Sequence, residues 1–331
     1  MTDAPISRRQ LLAGGAGVVA ATGAAALAQT GGSATPSLSG KAILVTGCSS
    51  GFGRVGAELY ARAGARVIAS MRNMPRPEAE ALRRLARDAK LDLHVVELDV
   101  LDQDSVERAV AQAEKIAGHG LDVLVNNAGI GISGPVELQD AAAAEAMFGT
   151  NVLGYLRVAR AALPGMRGRP GALMVNISSQ LGRVIIPNIG LYSATKFAVE
   201  AVSEQLAYEL APKGVEVSII QPGGYPTEIW ENGDRYTAAL LERLPQERKA
   251  AYPELVDSAL RGGGAGGSTD PADVPRAIAE LIAMPAGQRP LRRPVHPGAK
   301  PQEPINTVSA EVQGRMLGRT PYSAWAKDVL G

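Results

Sequence analysis

Tyr192 and Lys196 stand four residues apart in Tyr192-Ser193-Ala194-Thr195-Lys196, so a helix through this stretch puts a phenol and an ammonium on one face. A phenol titrates near ~10, and bringing it to neutrality takes about 3 units, or roughly 4 kcal/mol. An ammonium ~4–5 Å away supplies that order of energy at an effective dielectric of about 20. Such a pair can pass a proton to an oxygen whose charge changes during reaction. Taken alone, the pattern is also common on helix surfaces, and its meaning depends on the rest of the chain.

A second stretch points to a nucleotide. Thr46-Gly47-Cys48-Ser49-Ser50-Gly51-Phe52-Gly53 follows a short apolar run at 42–45 and leads into a helical stretch from about 54 to 62. Gly47, Gly51 and Gly53 sit where the chain must turn sharply and let a diphosphate approach the backbone. The next helix offers that diphosphate unpaired N–H groups and the positive end of its dipole. Cys48 reads as a small filler within the turn. The second strand ends in Met71-Arg72, with no carboxylate to hold ribose hydroxyls. A guanidinium there suits a 2′-phosphate, which favours NADP(H) over NAD; the alternative is an Arg72 that merely ends the strand in solvent.

Asn126-Asn127-Ala128-Gly129 and then Ser179 lie between these two stretches. In that order the motifs resemble the short-chain dehydrogenase/reductase family over roughly residues 41–295. The resemblance implies hydride transfer between a nicotinamide and an alcohol or carbonyl. It makes Tyr192 the acid/base and gives Lys196 a grip on the nicotinamide ribose beside Tyr192. Ser179, thirteen residues before Tyr192, becomes the holder of the substrate oxygen, in preference to Ser178. Asn151, within Thr150-Asn151-Val152-Leu153-Gly154, fixes a water that links Lys196 to solvent. On the cofactor side the resemblance assigns Gly47, Ser49, Ser50, Gly51, Phe52 and Gly53 to the diphosphate. Asp99 and Val100 go to the adenine, and Asn127, Ala128 and Gly129 to a close backbone approach. Pro222, Gly223 and Thr227 close on the carboxamide. The turn around Cys48 and the run Gly131-Ile132-Ser133-Gly134-Pro135-Val136-Glu137 look like the hydroxysteroid- and retinol-oxidising branch, which tilts the substrate towards a bulky apolar secondary alcohol or ketone. Two rivals stay open: an NADP(H)-binding sensor or scaffold without turnover, and an epimerase or dehydratase that uses the same Tyr/Lys pair.

Positioning these groups requires an α/β framework. Short apolar runs at 42–45, 66–70, 93–98, 123–125, 173–177 and 215–220 alternate with helical stretches near 54–62, 78–90 and 104–116, the last capped by Asp104 or Asp102. Continuous apolar strands between helices predict a doubly wound parallel sheet of Rossmann type, with ligands at the carboxyl ends of the strands. Each motif follows a strand. Residues 224–271 break the rhythm with Tyr225, Trp230, Tyr236 and Tyr252 and a glycine-rich end, Gly262-Gly263-Gly264-Ala265-Gly266-Gly267-Ser268. We read them as a lid inserted after the sixth strand, or alternatively as surface helices packed on the sheet or a partner.

Composition narrows the function further. The 331 residues carry 34 Lys+Arg against 33 Asp+Glu, so there is no electrostatic footprint for nucleic acid. One cysteine excludes an internal disulfide, and the separated His94, His119 and His296 match no metal-ligand spacing. At the N-terminus, Ser7-Arg8-Arg9-Gln10-Leu11-Leu12 opens an uncharged run that closes at Ala26-Leu27-Ala28. It resembles a twin-arginine export signal. The expected organisation is a signal over 1–28, a flexible spacer over 29–40, a single dehydrogenase domain over 41–296 and a tail over 297–331. That implies a periplasmic protein without a stable membrane span, with an uncleaved anchor or a cytoplasmic protein as alternatives. The tail, with Arg292-Arg293-Pro294 just before it and a helix near 305–317, is expected to serve a homodimer or homotetramer contact, its basic pair facing solvent.

Overall fold

The computed structural model describes residues 35–262 and 267–330. The export signal expected over 1–28, the start of the spacer and the centre of the glycine-rich end of the lid lie outside the described residues. Seven strands form one wholly parallel sheet: β1 Ala42–Val45, β2 Arg66–Met71, β3 Leu93–Glu97, β4 Val123–Asn126, β5 Ala172–Ile177, β6 Val215–Pro222 and β7 Arg292–Val295. Their order is β3-β2-β1-β4-β5-β6-β7, so the chain reverses direction across the sheet between β1 and β4.

Side chains alternate across a strand, so each strand feeds two cores. Ile43, Val45, Val67 and Ala69 pack on one face under α1 (Gly51–Arg62), α2 (Pro77–Asp88) and α10 (Asp273–Ala283). Leu44, Ile68, Leu124 and Met174 pack on the other, under α3 (Gln103–Ala117), α5 (Gly154–Met166) and α6 (Leu191–Leu210). Burial on both faces explains the apolar runs of the central strands β1, β4 and β5, whereas at the β3 edge His94 and Glu97 stay exposed. Asp102 caps α3, its carboxylate accepting from the Asp104 and Ser105 amides at 2.9 and 3.2 Å.

A third cluster lies beyond the strand ends. Ile132, Leu138 and Met147 meet Leu240, Leu241 and Val256, which joins α4 (Ala141–Phe148) to α7 (Ile229–Glu242) and α9 (Pro253–Leu260), with the short α8 (Gln246–Ala250) between them. The segment expected as a lid is therefore helical, and α7 roofs the carboxyl ends of the strands. Between α4 and α5 the chain makes one widened π-type turn, Gly149–Leu153, which carries Asn151. The C-terminal stretch forms α11 (Gln302–Leu317) and α12 (Ser323–Leu330). Among the described residues, no helix is long and apolar enough to cross a membrane.

The structure corrects two readings at its edges. Helix α1 begins at Gly51, inside the glycine-rich turn, rather than near Arg54. The basic pair read as solvated belongs to β7, which pairs Ile219 with Arg292 and Pro222 with Val295. An edge strand tolerates Pro294. The Arg292 side chain is only 7% exposed and bonds Glu200 at 2.8 Å and Glu204 at 2.5 Å, both on α6. Arg293 pairs with Glu280 on α10. Two acidic residues one helical turn apart on α6 draw the guanidinium inward.

Candidate active site

The β1–α1 turn is built so tightly that only glycine fits. Gly47 has φ +73°, and a Cβ there would lie 2.8 Å from Ala128 Cα. A Cβ on Gly53 would lie 2.4 Å from the Gly47 carbonyl oxygen and 2.5 Å from Asn127 Nδ2. The turn is tied to the segment after β4: Asn127 Nδ2 donates to the Thr46 carbonyl at 2.8 Å, and Thr46 Oγ1 accepts from the Asn127 and Ala128 amides at 2.9 and 3.0 Å. Asn126 is fully buried and donates to Asn176, a strand-to-strand tie away from the cavity. Burial pushes the Cys48 thiol up to about 12, as suits an inert filler.

Above these strand ends lies a cavity of about 440 Å³, within the range of ligand sites. Ser49, Ser50, Gly51, Arg72, Asp99 and Val100 line one half, and Ser179, Tyr192 and Lys196 line the other. Ala128, Gly129, Pro222, Gly223 and Thr227 lie on the wall between. Sequence positions spread from 47 to 227 thus share one wall. Gly53 and Asn151 are the expected residues that hold this wall from behind.

The Asn151 amide is committed on both sides. It accepts from the Ile130 amide at 2.9 Å and donates to the Ile130 carbonyl at 2.9 Å and to Thr195 Oγ1 at 3.0 Å. It therefore pins the loop after β4 to α6. The N-terminus of α6 is held by Gln139, whose Oε1 accepts from the Leu191 amide at 2.9 Å. Gly190, at φ +51°, lies so close that a Cβ would strike the Gln139 side chain. Lys196 is 4% exposed and donates to the Ile177 carbonyl at 2.9 Å, with Nζ 5.5 Å from the Tyr192 ring centre. The hydroxyl of Tyr155 donates to that same carbonyl at 3.1 Å.

Electrostatics depart from the expectation that Lys196 brings Tyr192 towards neutrality. Burial pushes the Tyr192 phenol up to about 12, and its hydrogen bond with Ser179 pulls only partly against it. Burial also brings Lys196 down to about 8, with Glu200 opposing. Enclosure of the phenol outweighs the nearby ammonium, whose Nζ is engaged by the Ile177 carbonyl. Enclosure thus keeps the Tyr192 phenol protonated to higher pH than a free phenol. Ser179 Oγ accepts from the Leu181 amide at 3.1 Å, which orients it beside the phenol.

Sequence reasoning missed several groups here. Gln139 and Tyr155 carry no motif, and only tertiary contact reveals them. Glu228, next to Thr227, accepts from the Gly51 amide at 2.9 Å. Tyr236, singled out only as a lid aromatic, accepts from Arg72 Nη2 at 3.0 Å. Of the other lid aromatics, Tyr225 is 2% exposed and packs edge-on to Phe52 at 5.5 Å, so it belongs to the core.

Residues fit a nicotinamide dinucleotide on three observations: glycines whose Cβ atoms would fill the turn, a first turn of α1 with no side-chain cap from Ser50, and Arg72 at the β2 end with N–H donors to spare.

Comparison with known proteins agrees with this geometry. Residues 41–236 match the family described as short chain dehydrogenase. Over 294 residues the chain is 34% identical to the uncharacterized oxidoreductase YusZ of Bacillus subtilis (strain 168), covering 86% of this chain and 95% of that one. It is 32% identical over 289 residues to retinol dehydrogenase 8 of Homo sapiens, covering 85% and 89%. A short chain dehydrogenase/reductase from Burkholderia phymatum, solved in complex with NAD, superposes at a TM-score of 0.66 with 27% identity, covering 86% of this chain and 96% of that chain. A parallel sheet of this order, a glycine turn closed on the segment after β4, and sequence identity sustained along the chain lead to one assignment: this protein belongs to the short-chain dehydrogenase family of oxidoreductases.

Proposed function

We propose that the protein interconverts a bulky, uncharged ketone and its secondary alcohol with NADP(H). The observation that carries this reading is Tyr192, hydrogen-bonded to Ser179 and backed by buried Lys196, in the same cavity as the glycine turn. When bound, the reduced nicotinamide supplies the hydride. Ser179 and Tyr192 hold the carbonyl oxygen, and Tyr192 donates its proton as negative charge develops there. Lys196, 5.5 Å from the ring centre, stabilises the phenolate that forms. Asn151 keeps the Ile130 loop and α6 in register and so fixes the distance between cofactor wall and phenol.

Two features support the finer choices. Arg72 follows β2 where a carboxylate would disfavour a 2′-phosphate, and it commits only Nη2, to Tyr236. On the chemical half of the cavity Ile130, Ile186, Ile229 and Trp230 line the wall, with Lys196 its one cation among the described residues. Ile186, which lines the cavity, remains 48% exposed, so a carboxylate substrate finds no partner there and an apolar one does. We further propose, on sequence alone, export by the twin-arginine route with cleavage near Gln29, which N-terminal mass analysis of protein recovered from its host tests.

The test is NADPH consumption with a ketone panel running from steroid-sized neutral compounds to small keto acids. Stoichiometric NADPH oxidation with the former supports the proposal. Turnover of keto acids alone, or nucleotide binding with no net oxidation of NADPH by any of them, overturns it.

A further inference from the structure

The first turn of α1 carries an anion supplied by the chain itself. Gly51 opens the helix at φ +55°, Ser50 provides no side-chain cap, and the free Gly51 amide donates at 2.9 Å to the carboxylate of Glu228, which is 177 residues away and immediately precedes α7. Thr227 stands against the same glycine, its Cβ 3.5 Å from where a Gly51 Cβ would be. An amide at a helix N-terminus, in a glycine turn, is the donor a diphosphate uses. Two anions cannot share it at this distance without repulsion.

We infer that Glu228 is a built-in competitor for the diphosphate and so a determinant of dinucleotide affinity, leaving Gly51 when the dinucleotide binds and taking the start of α7 with it. This inference rests on the nucleotide reading proposed above. The α7 helix has a second attachment to the nucleotide half, Tyr236 to Arg72, and that one is compatible with a ligand: the phenol accepts from Nη2 and keeps its own proton to donate. Nucleotide binding therefore breaks one tie and can keep the other, so α7 pivots rather than detaches.

The experiment is equilibrium binding of NADP+ and of adenosine 2′-monophosphate, which lacks the diphosphate, to the full-length protein and to Glu228→Gln and Glu228→Ala. The glutamine variant keeps the size and acceptor of the original side chain and guards against a folding defect in the alanine variant. Because Glu228 is exposed and partly screened by solvent, the expected gain is about tenfold tighter NADP+ binding, with adenosine 2′-monophosphate unchanged. NADP+ should also change the fluorescence of Trp230, two residues from Glu228, more in the parent than in the variants. Unchanged or weaker NADP+ binding in both variants would overturn the inference while leaving the nucleotide reading intact. Absence of binding of NADP+ and NAD+ by all three proteins would remove that reading, and this inference with it.

Discussion

Replacing Arg292 by Met tests whether the buried charge cluster under the site is held together as described. Arg292 Nε lies 2.8 Å from Glu200 and Nη2 lies 2.5 Å from Glu204, with side-chain exposures of 7%, 3% and 11%. Methionine keeps most of the volume and removes the charge, leaving two buried carboxylates one turn apart on α6. Breaking a buried pair in this way costs about 3–5 kcal/mol. At ~2.1 cal/mol/K per residue, a chain of 331 residues supplies about 0.7 kcal/mol per kelvin, so the melting temperature should fall by about 4–7 °C. The pH response should also reverse. In the parent, burial raises the Glu204 pKa, but Arg292, Tyr208 and Gln313 outweigh it and hold the carboxyl below its ordinary value. That contribution is present above the unfolded pKa and lost as pH falls through the folded one. With Arg292 gone, burial dominates, the folded pKa rises, and stability is lost as pH increases. Thermal unfolding of both proteins at about pH 3.5, 5 and 8 reads this: the parent should lose this contribution between the lower two values and the variant between the upper two. A shift below about 2 °C, or the same pH trend in both proteins, would refute the reasoning.

Other expected outcomes follow from the same geometry. Gly53→Ala drives a Cβ to 2.4 Å from the Gly47 carbonyl, so NADP+ binding should be lost and stability should drop by about 1–3 kcal/mol in urea titration. Arg72→Ala should lower the NADP+ over NAD+ affinity ratio by about ten- to a hundredfold, the worth of a charge-assisted hydrogen bond, as measured by calorimetry. Carbonyl reduction should hold up to about pH 8 and decline above it, because Lys196 loses its proton there while Tyr192, at about 12, stays protonated. A rate that climbs steadily from pH 8 to pH 10 would contradict that assignment.

What the sequence revealed was mostly local. The glycine turn was legible because three glycines within seven residues have few uses, and the Tyr192–Lys196 spacing because helix geometry alone puts them on one face. Apolar runs announced six strands, most plainly β1, β4 and β5, where burial on two faces demands them, while edge strand β3 keeps His94 and Glu97 in solvent. The seventh did not, since Arg292-Arg293-Pro294 has no apolar signal and its inward turn depends on Glu200 and Glu204, some ninety residues earlier in the chain. Protonation was equally hidden: the sequence shows an ammonium near a phenol, but how far both are enclosed is a tertiary property, and here enclosure wins. Gln139 on Leu191 and Glu228 on Gly51 are contacts between distant segments, and nothing at either end of the chain segment marks them beforehand.

The central claim is that Tyr192 delivers the proton in a hydride transfer, and Tyr192→Phe tests it most directly, with single-turnover NADPH oxidation by a bulky ketone and NADP+ binding measured on the same preparation. Loss of the phenolic proton should reduce the rate by about 10²–10⁴-fold, the usual contribution of a general acid, while NADP+ affinity changes less than about threefold. A variant that oxidises NADPH at the parent rate would show that the proton comes from elsewhere and contradict the account.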